Sequence, residues 1–249
     1  MLAIGKTDMG KVRGNNEDAV LIKNEPVGIL PNLFIVADGM GGHKAGEVAS
    51  NLAIRYCCEY LNSPEHERGE LLDSLIDAVC YANKMVYDIS LSESSCSNMG
   101  TTFTGCSVKD NTAYIVHVGD SRLYKINKDA IEQVTMDHSF VAEMVRAGKL
   151  TPEEAEVHPD RNVITRAVGT DPEVQIDGIV VDINSGDTLL ICSDGLNTML
   201  SDSEIFEIVS QMQQRPEEKL ERLIESANQK GGKDNISAIL ICCGEGDRS

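Results

Sequence analysis

Three aspartates stand where a carboxylate is costly: Asp38 in LFIVADGMGGH, Asp194 in TLLICSDGL and Asp234 in GGKDNISAIL. The first two close apolar runs with Asp-Gly, where a strand is expected to stop and the chain to turn. The third stands immediately before an apolar run. Burying an ionised side chain is strongly unfavourable unless something compensates its charge. Three such residues suggest a shared compensator, and all-oxygen donors suit a hard divalent cation. The glycines that follow Asp38 and Asp194 carry no Cβ, so main-chain carbonyls can approach an ion as closely as the carboxylates do. A plain turn accounts for either Asp-Gly pair alone. It accounts less well for both together with Asp234-Asn235.

Two further groupings carry chemistry. In Arg13-Gly14-Asn15-Asn16-Glu17-Asp18 the acids can support a metal site, while the planar fork of Arg13 suits bidentate capture of a phosphate. Solvated loop charges are the plainer account of the same residues. In Gly119-Asp120-Ser121-Arg122 an acid again follows an apolar run; alone, it reads as a hairpin turn.

The elements that must position these residues follow from periodicity. Strands are expected at 2–4, 19–22 and 33–37, then helices at 45–61 and 71–91, the first rich in small residues and the second apolar at helical spacing. Strands follow at 101–108, 112–118, 122–126 and 131–134, joined tightly enough to be antiparallel. The stretch 138–161 turns polar and helical, with Thr151-Pro152-Glu153-Glu154 reading as a capped helix start. Strands resume at 174–181 and 188–192. Ser201 and Pro216 each open a helix, and 236–242 closes the chain as a strand. This order predicts an α+β fold, antiparallel sheets covered by helices, in one domain spanning 1–249.

Composition narrows the partners. With 22 Lys and Arg against 40 Asp and Glu, the net charge is −18, which leaves no basic excess for nucleic acid or an anionic membrane surface. The eight cysteines show no CxxC and no disulfide spacing, as in a reducing compartment. The beginning of the chain has no signal-peptide layout and no apolar run reaches membrane-spanning length, so a cytoplasmic location is expected.

Taken in order, RGNNED, ADGMGGHKAGEVAS, MGTTFTG, HVGDSRLY, ITRAVG, CSDGL and KDNISAI resemble the motifs of the metal-dependent PP2C-type (PPM) protein serine/threonine phosphatases, in their short bacterial branch. The resemblance runs from about residue 5 to 241. It implies a four-layer α-β-β-α sandwich of two antiparallel sheets flanked by helices. It also implies that Asp38 bridges two Mn²⁺ or Mg²⁺ ions, that the Gly39 carbonyl binds one of them, and that Asp194 and Asp234 complete the pair. Glu17 and Asp18 then act through water, Asp120 with Asp194 forms a weaker third-metal site, and Arg13 binds phosphate. A hydroxide generated between the cations attacks phosphorus in line.

The same resemblance implies phosphoserine and phosphothreonine proteins as substrates, a cognate Ser/Thr protein kinase as functional partner, a monomeric enzyme, and a flap at about 138–161 beside the site. Met40 stands where animal relatives carry a histidine after Asp-Gly, which leaves metal-bound water as the leading proton donor and His43 three residues further on. Three other functions compete: a non-catalytic regulator of the same fold, a phosphatase of anti-sigma-factor antagonists, or one of small phosphoesters. No Asp-x-Asp-x-Thr nucleophile motif is present. A calcium-binding module fits poorly because the acids are scattered rather than gathered in one loop.

Overall fold

The computed structural model describes residues 1–42, 45–66, 69–211 and 213–244. Its apolar runs form two antiparallel sheets. One has the order β1 (Leu2–Asp8), β11 (Ile236–Cys242), β10 (Thr188–Cys192), β7 (Arg122–Ile126), β8 (Ile131–Gln133). The other runs β2 (Asp18–Lys23), β3 (Leu33–Met40), β5 (Phe103–Lys109), β6 (Thr112–Val118), β9 (Asp177–Asp182), with the two-residue β4 (Gly100–Thr101) against the end of β3.

The central strands β3, β5, β6, β10 and β11 are buried almost throughout because both faces of each sheet are covered there, while the outer β1, β8 and β9 keep exposed positions. On β3, Leu33 and Ile35 face helices α1 (Ala45–Leu61) and α2 (Leu71–Ser92), while Phe34 and Val36 face the opposite sheet. On β10, Leu190 and Cys192 pack with α6 (Asp202–Val209) and α7 (Pro216–Gln229), while Leu189 and Ile191 join Phe34 and Ile239 between the sheets. The period-two alternation of strand side chains thus feeds three cores, and the layers are α-β-β-α, as expected.

Several local expectations change. β3 does not stop before Asp38; it continues through Gly39 to Met40, with Asp38 opposite Asp18 of β2. The Gly119-Asp120-Ser121 stretch is no hairpin, because β6 and β7 belong to different sheets and the chain crosses between them there. The strand expected from 174 begins at Asp177. The stretch 138–161 holds two short helices, α3 (Phe140–Arg146) and α4 (Pro152–Glu156), and the latter opens with the expected Thr151–Glu154 capping box. A second capping box at Ser201 and Glu204 opens α6. No helix among the described residues is long and apolar enough to cross a membrane. All eight cysteines are unpaired.

Candidate metal-dependent active site

Both sheets deliver acids to one end of the sandwich. β2 and β3 supply Asp18 and Asp38 side by side. The other sheet supplies Asp194, first residue of the short helix α5 (Asp194–Asn197) after β10, and Asp234, just ahead of β11. Asp120 comes from the crossover between the sheets.

The main chain around Asp38 is held firmly. Its N–H donates to Thr102 Oγ1 at 2.9 Å, and its carbonyl accepts from Thr102 N at 2.9 Å and from Thr101 Oγ1 at 2.9 Å. Thr102 Oγ1 lies 2.8 Å from Ser121 Oγ, which ties β3 to the Asp120 crossover. Gly39 is required by proximity rather than by a turn. A Cβ there would lie 2.1 Å from the Gly46 carbonyl oxygen, so α1 can cross β3 only at two facing glycines.

The arginine-containing loop is pinned by Asn235. Its Oδ1 accepts from Glu17 N at 2.9 Å, and its Nδ2 donates to the carbonyls of Met9 and Asn15, each at 2.9 Å. Ser193 Oγ donates to Asp18 Oδ2 at 2.7 Å, joining the end of β10 to β2. Ser193 and Thr102 were not singled out from sequence, and Asn235 was named only as the neighbour of Asp234. Each sits within a quoted motif, which was the available signal, but its partners are distant in the chain.

The electrostatics are those of crowded acids. Burial, reinforced by the charges of Asp120, Asp234 and Asp18, pushes Asp194 up to about 8, and burial lifts Asp18 to about 6 against the opposing pull of the Ser237 and Ser193 hydroxyls. Burial and the charge of Asp137 push Asp120 to about 6. Asp38 rises well above the carboxylate range through burial and then the charges of Asp18, Asp194, Asp120 and Asp234. Burial also raises Glu17. Arg13 donates to Asp234 Oδ2 at 2.6 Å in a half-exposed ion pair, so the expected phosphate ligand here engages an expected metal ligand.

Among the described residues no three His, Cys, Asp or Glu side chains are already drawn together as a closed cation cage. The donor chemistry nevertheless fits hard cations: the groups are all oxygen donors, they repel one another, and Asp18 Oδ1 and Asp194 Oδ1 are buried without any hydrogen-bond partner. Met40 packs at the Gly100 backbone, opposite it in the β3–β4 pair, and offers no proton. His43 lies outside the described residues. A groove of about 1190 Å³ leads away from Asp120 and Asp194, lined by Arg122, Arg146, Arg161 and Lys230 among others.

The family model for protein phosphatase 2C matches residues 11–240. The chain belongs to the protein phosphatase 2C family. It is 38% identical over 242 residues to the protein phosphatase PhpP of Streptococcus pneumoniae, covering 97% of both chains. A crystal structure of a bacterial serine phosphatase superimposes with a TM-score of 0.91 at 37% identity, covering 100% of both chains. The catalytic domain of the serine/threonine protein phosphatase PstP, crystallised with two manganese ions, matches with a TM-score of 0.80 at 35% identity over 96% of each chain. The two-sheet sandwich is therefore a fold this chain shares with protein phosphatases, at an identity well above that at which fold alone is informative.

Proposed function

We propose that this chain hydrolyses phosphoserine and phosphothreonine in proteins, using divalent cations held by Asp38, Asp194, Asp234 and the Gly39 carbonyl. The observation that carries this proposal is the pair of sealed, unpartnered oxygens on Asp18 and Asp194 within a group of mutually repelling buried acids. Glu17 and Asp18 support the site from behind, and Asp120 with Asp194 forms a weaker third position. When bound there, two Mn²⁺ or Mg²⁺ ions would supply charge compensation and acidify a water near neutral pH.

The chain's own residues do the rest. Thr101 and Thr102 hold the Asp38 backbone against movement. Asn235 keeps the Arg13 loop within reach of the acids. The Arg13 fork, paired with Asp234 in this structure, would hold the equatorial phosphate oxygens and absorb developing charge when substrate is bound. With Met40 at the position next to Gly39, the departing alkoxide takes its proton from water. The natural partner is a Ser/Thr protein kinase whose products this enzyme reverses, and it works as a cytoplasmic monomer with no nucleic-acid partner.

The test is hydrolysis of a phosphothreonine peptide by the full chain with Mn²⁺, with EDTA, and with the Asp38→Asn variant. Turnover that survives EDTA or the substitution would refute metal-dependent catalysis. A chain that binds Mn²⁺ without turnover would support a regulatory role instead.

A further inference from the structure

His138, where the 138–161 stretch begins, is 1% exposed and holds both main-chain polar groups of one glycine. Its backbone N–H donates to the Gly119 carbonyl at 2.8 Å, and its Nδ1 accepts from the Gly119 N–H at 3.1 Å. Gly119 has φ of 108°, and a Cβ there would lie 2.6 Å from Thr102 Cγ2, so the crossover is fixed in a conformation only glycine takes easily. The next residue is Asp120.

Because Nδ1 accepts, the neutral ring carries its proton on Nε2. That nitrogen lies 3.1 Å from Asp177 Oδ2, its acceptor, and 3.2 Å from Arg166 Nη1, which donates to the other Asp177 oxygen at 3.0 Å. The ring stacks at a centroid distance of 4.8 Å on buried His117, whose Nδ1 and Nε2 meet Thr104 Oγ1 at 3.0 Å and the Met136 carbonyl at 3.1 Å. The His138 carbonyl accepts from Thr165 N at 2.8 Å, and Ser139 bridges Ile164, so both ends of the α3–α4 excursion meet here. A core histidine that merely satisfies its polar atoms would need no such double hold on one residue.

We propose that His138 is a positioning residue for Asp120. The Asp177 carboxylate, held by Arg166, fixes the imidazole tautomer; the imidazole then holds the Val118–Gly119 peptide and the His138 amide the Gly119–Asp120 peptide, and the two together fix the glycine that aims Asp120 into the site. A histidine oriented by a carboxylate and acting on the next layer in is a recurrent way of tuning a cation site. The inference rests on the proposed function in so far as Asp120 serves the cation cluster.

Two substitutions separate the halves of the ring. His138→Asn keeps an acceptor near Nδ1, whereas His138→Gln keeps a donor near Nε2 and loses that acceptor. Both are measured in the full chain for amide hydrogen exchange of the Gly119 peptide without metal, for calorimetric uptake of Mn²⁺, and for kcat and KM on a phosphothreonine peptide. Loss of one such hydrogen bond predicts, for His138→Gln, about tenfold faster exchange and about tenfold weaker uptake at the weakest Mn²⁺ position. His138→Asn should stay within about twofold of the parent on both. In an Asp120→Asn background, His138→Gln should change Mn²⁺ uptake no further, since coupled residues share one effect.

The proposal is overturned if His138→Gln leaves exchange and uptake unchanged, if His138→Asn loses as much as His138→Gln, or if the two substitutions simply add. A parent chain that takes up no Mn²⁺ refutes the cation site itself and the cation half of this inference, while the metal-free exchange comparison still decides whether His138 holds the Gly119 peptide.

Discussion

Removing one of these acids should stabilise the protein while abolishing its activity. In the metal-free fold Asp194 is pushed from 3.8 to about 8, first by burial and then by the charges of Asp120, Asp234 and Asp18. The folded state therefore binds this proton more tightly than the unfolded chain does. Stability from the protonated carboxyl is fully present below about pH 4 and drains away as the pH rises towards about 8. Each pH unit in that window is worth about 1.4 kcal/mol. Near pH 7.5 the limit is thus about 5 kcal/mol; the residue keeps some exposed surface and shares its repulsion with neighbours, so about 2–3 kcal/mol is the working figure.

Asparagine is neutral throughout, so Asp194→Asn should match the parent near pH 4 and exceed it by that amount near pH 7.5 in EDTA. In urea this is a midpoint shift of roughly 1 M. Adding Mn²⁺ should reverse the order, because the parent gains binding free energy that the variant forgoes. A variant less stable than the parent near pH 7.5 in EDTA, or a difference that does not change with pH, would refute the account of Asp194 as an uncompensated buried acid.

Other expectations are more local. Arg13→Ala should raise KM and lower kcat on a phosphothreonine peptide, reducing kcat/KM by about tenfold to a hundredfold, with little change in melting temperature because its ion pair with Asp234 is half-exposed. Gly39→Ala should destabilise by about 3 kcal/mol, read from urea unfolding, since the added methyl meets the Gly46 carbonyl 2.1 Å away. Thr102→Val removes the acceptor for the Asp38 N–H and should cost about 1–3 kcal/mol in the same assay.

The layers were legible because both-sided burial leaves an unmistakable record: apolar runs without alternation, interrupted by turn residues and followed by amphipathic helices. What failed was the interpretation of glycine. Asp38-Gly39 reads as the end of a strand, yet β3 continues and Gly39 makes room for α1, a contact between residues seven apart in sequence and on different elements. Gly119-Asp120 reads as a hairpin because nothing local distinguishes a return to the same sheet from a crossing to the other. The acids of the site were visible in their motifs. The residues that hold them were not, because Asn235 and His138 act on main-chain groups whose proximity only the fold creates.

The placement of the acids across two sheets has an energetic consequence. Asp18 and Asp38 belong to one sheet, Asp194 and Asp234 to the end of the other, and Asp120 to the crossover joining them. Repulsion among them acts to part the sheets at this end. Direct ties oppose it: Ser193 to Asp18, Asn235 to the Glu17 amide, Thr102 to Ser121, and the Arg13–Asp234 pair. The first three are hydrogen bonds that need no cation, so they preserve the approach of the sheets when the carboxylates are uncompensated. Arg13 differs, because its tie is an ion pair and, on the proposed function, any cation held by Asp234 would compete with it. On that reading cation binding and the release of Arg13 towards substrate would be two sides of one exchange at Asp234, with Asn235 tying the segment that carries Asp234 to the loop that carries Arg13.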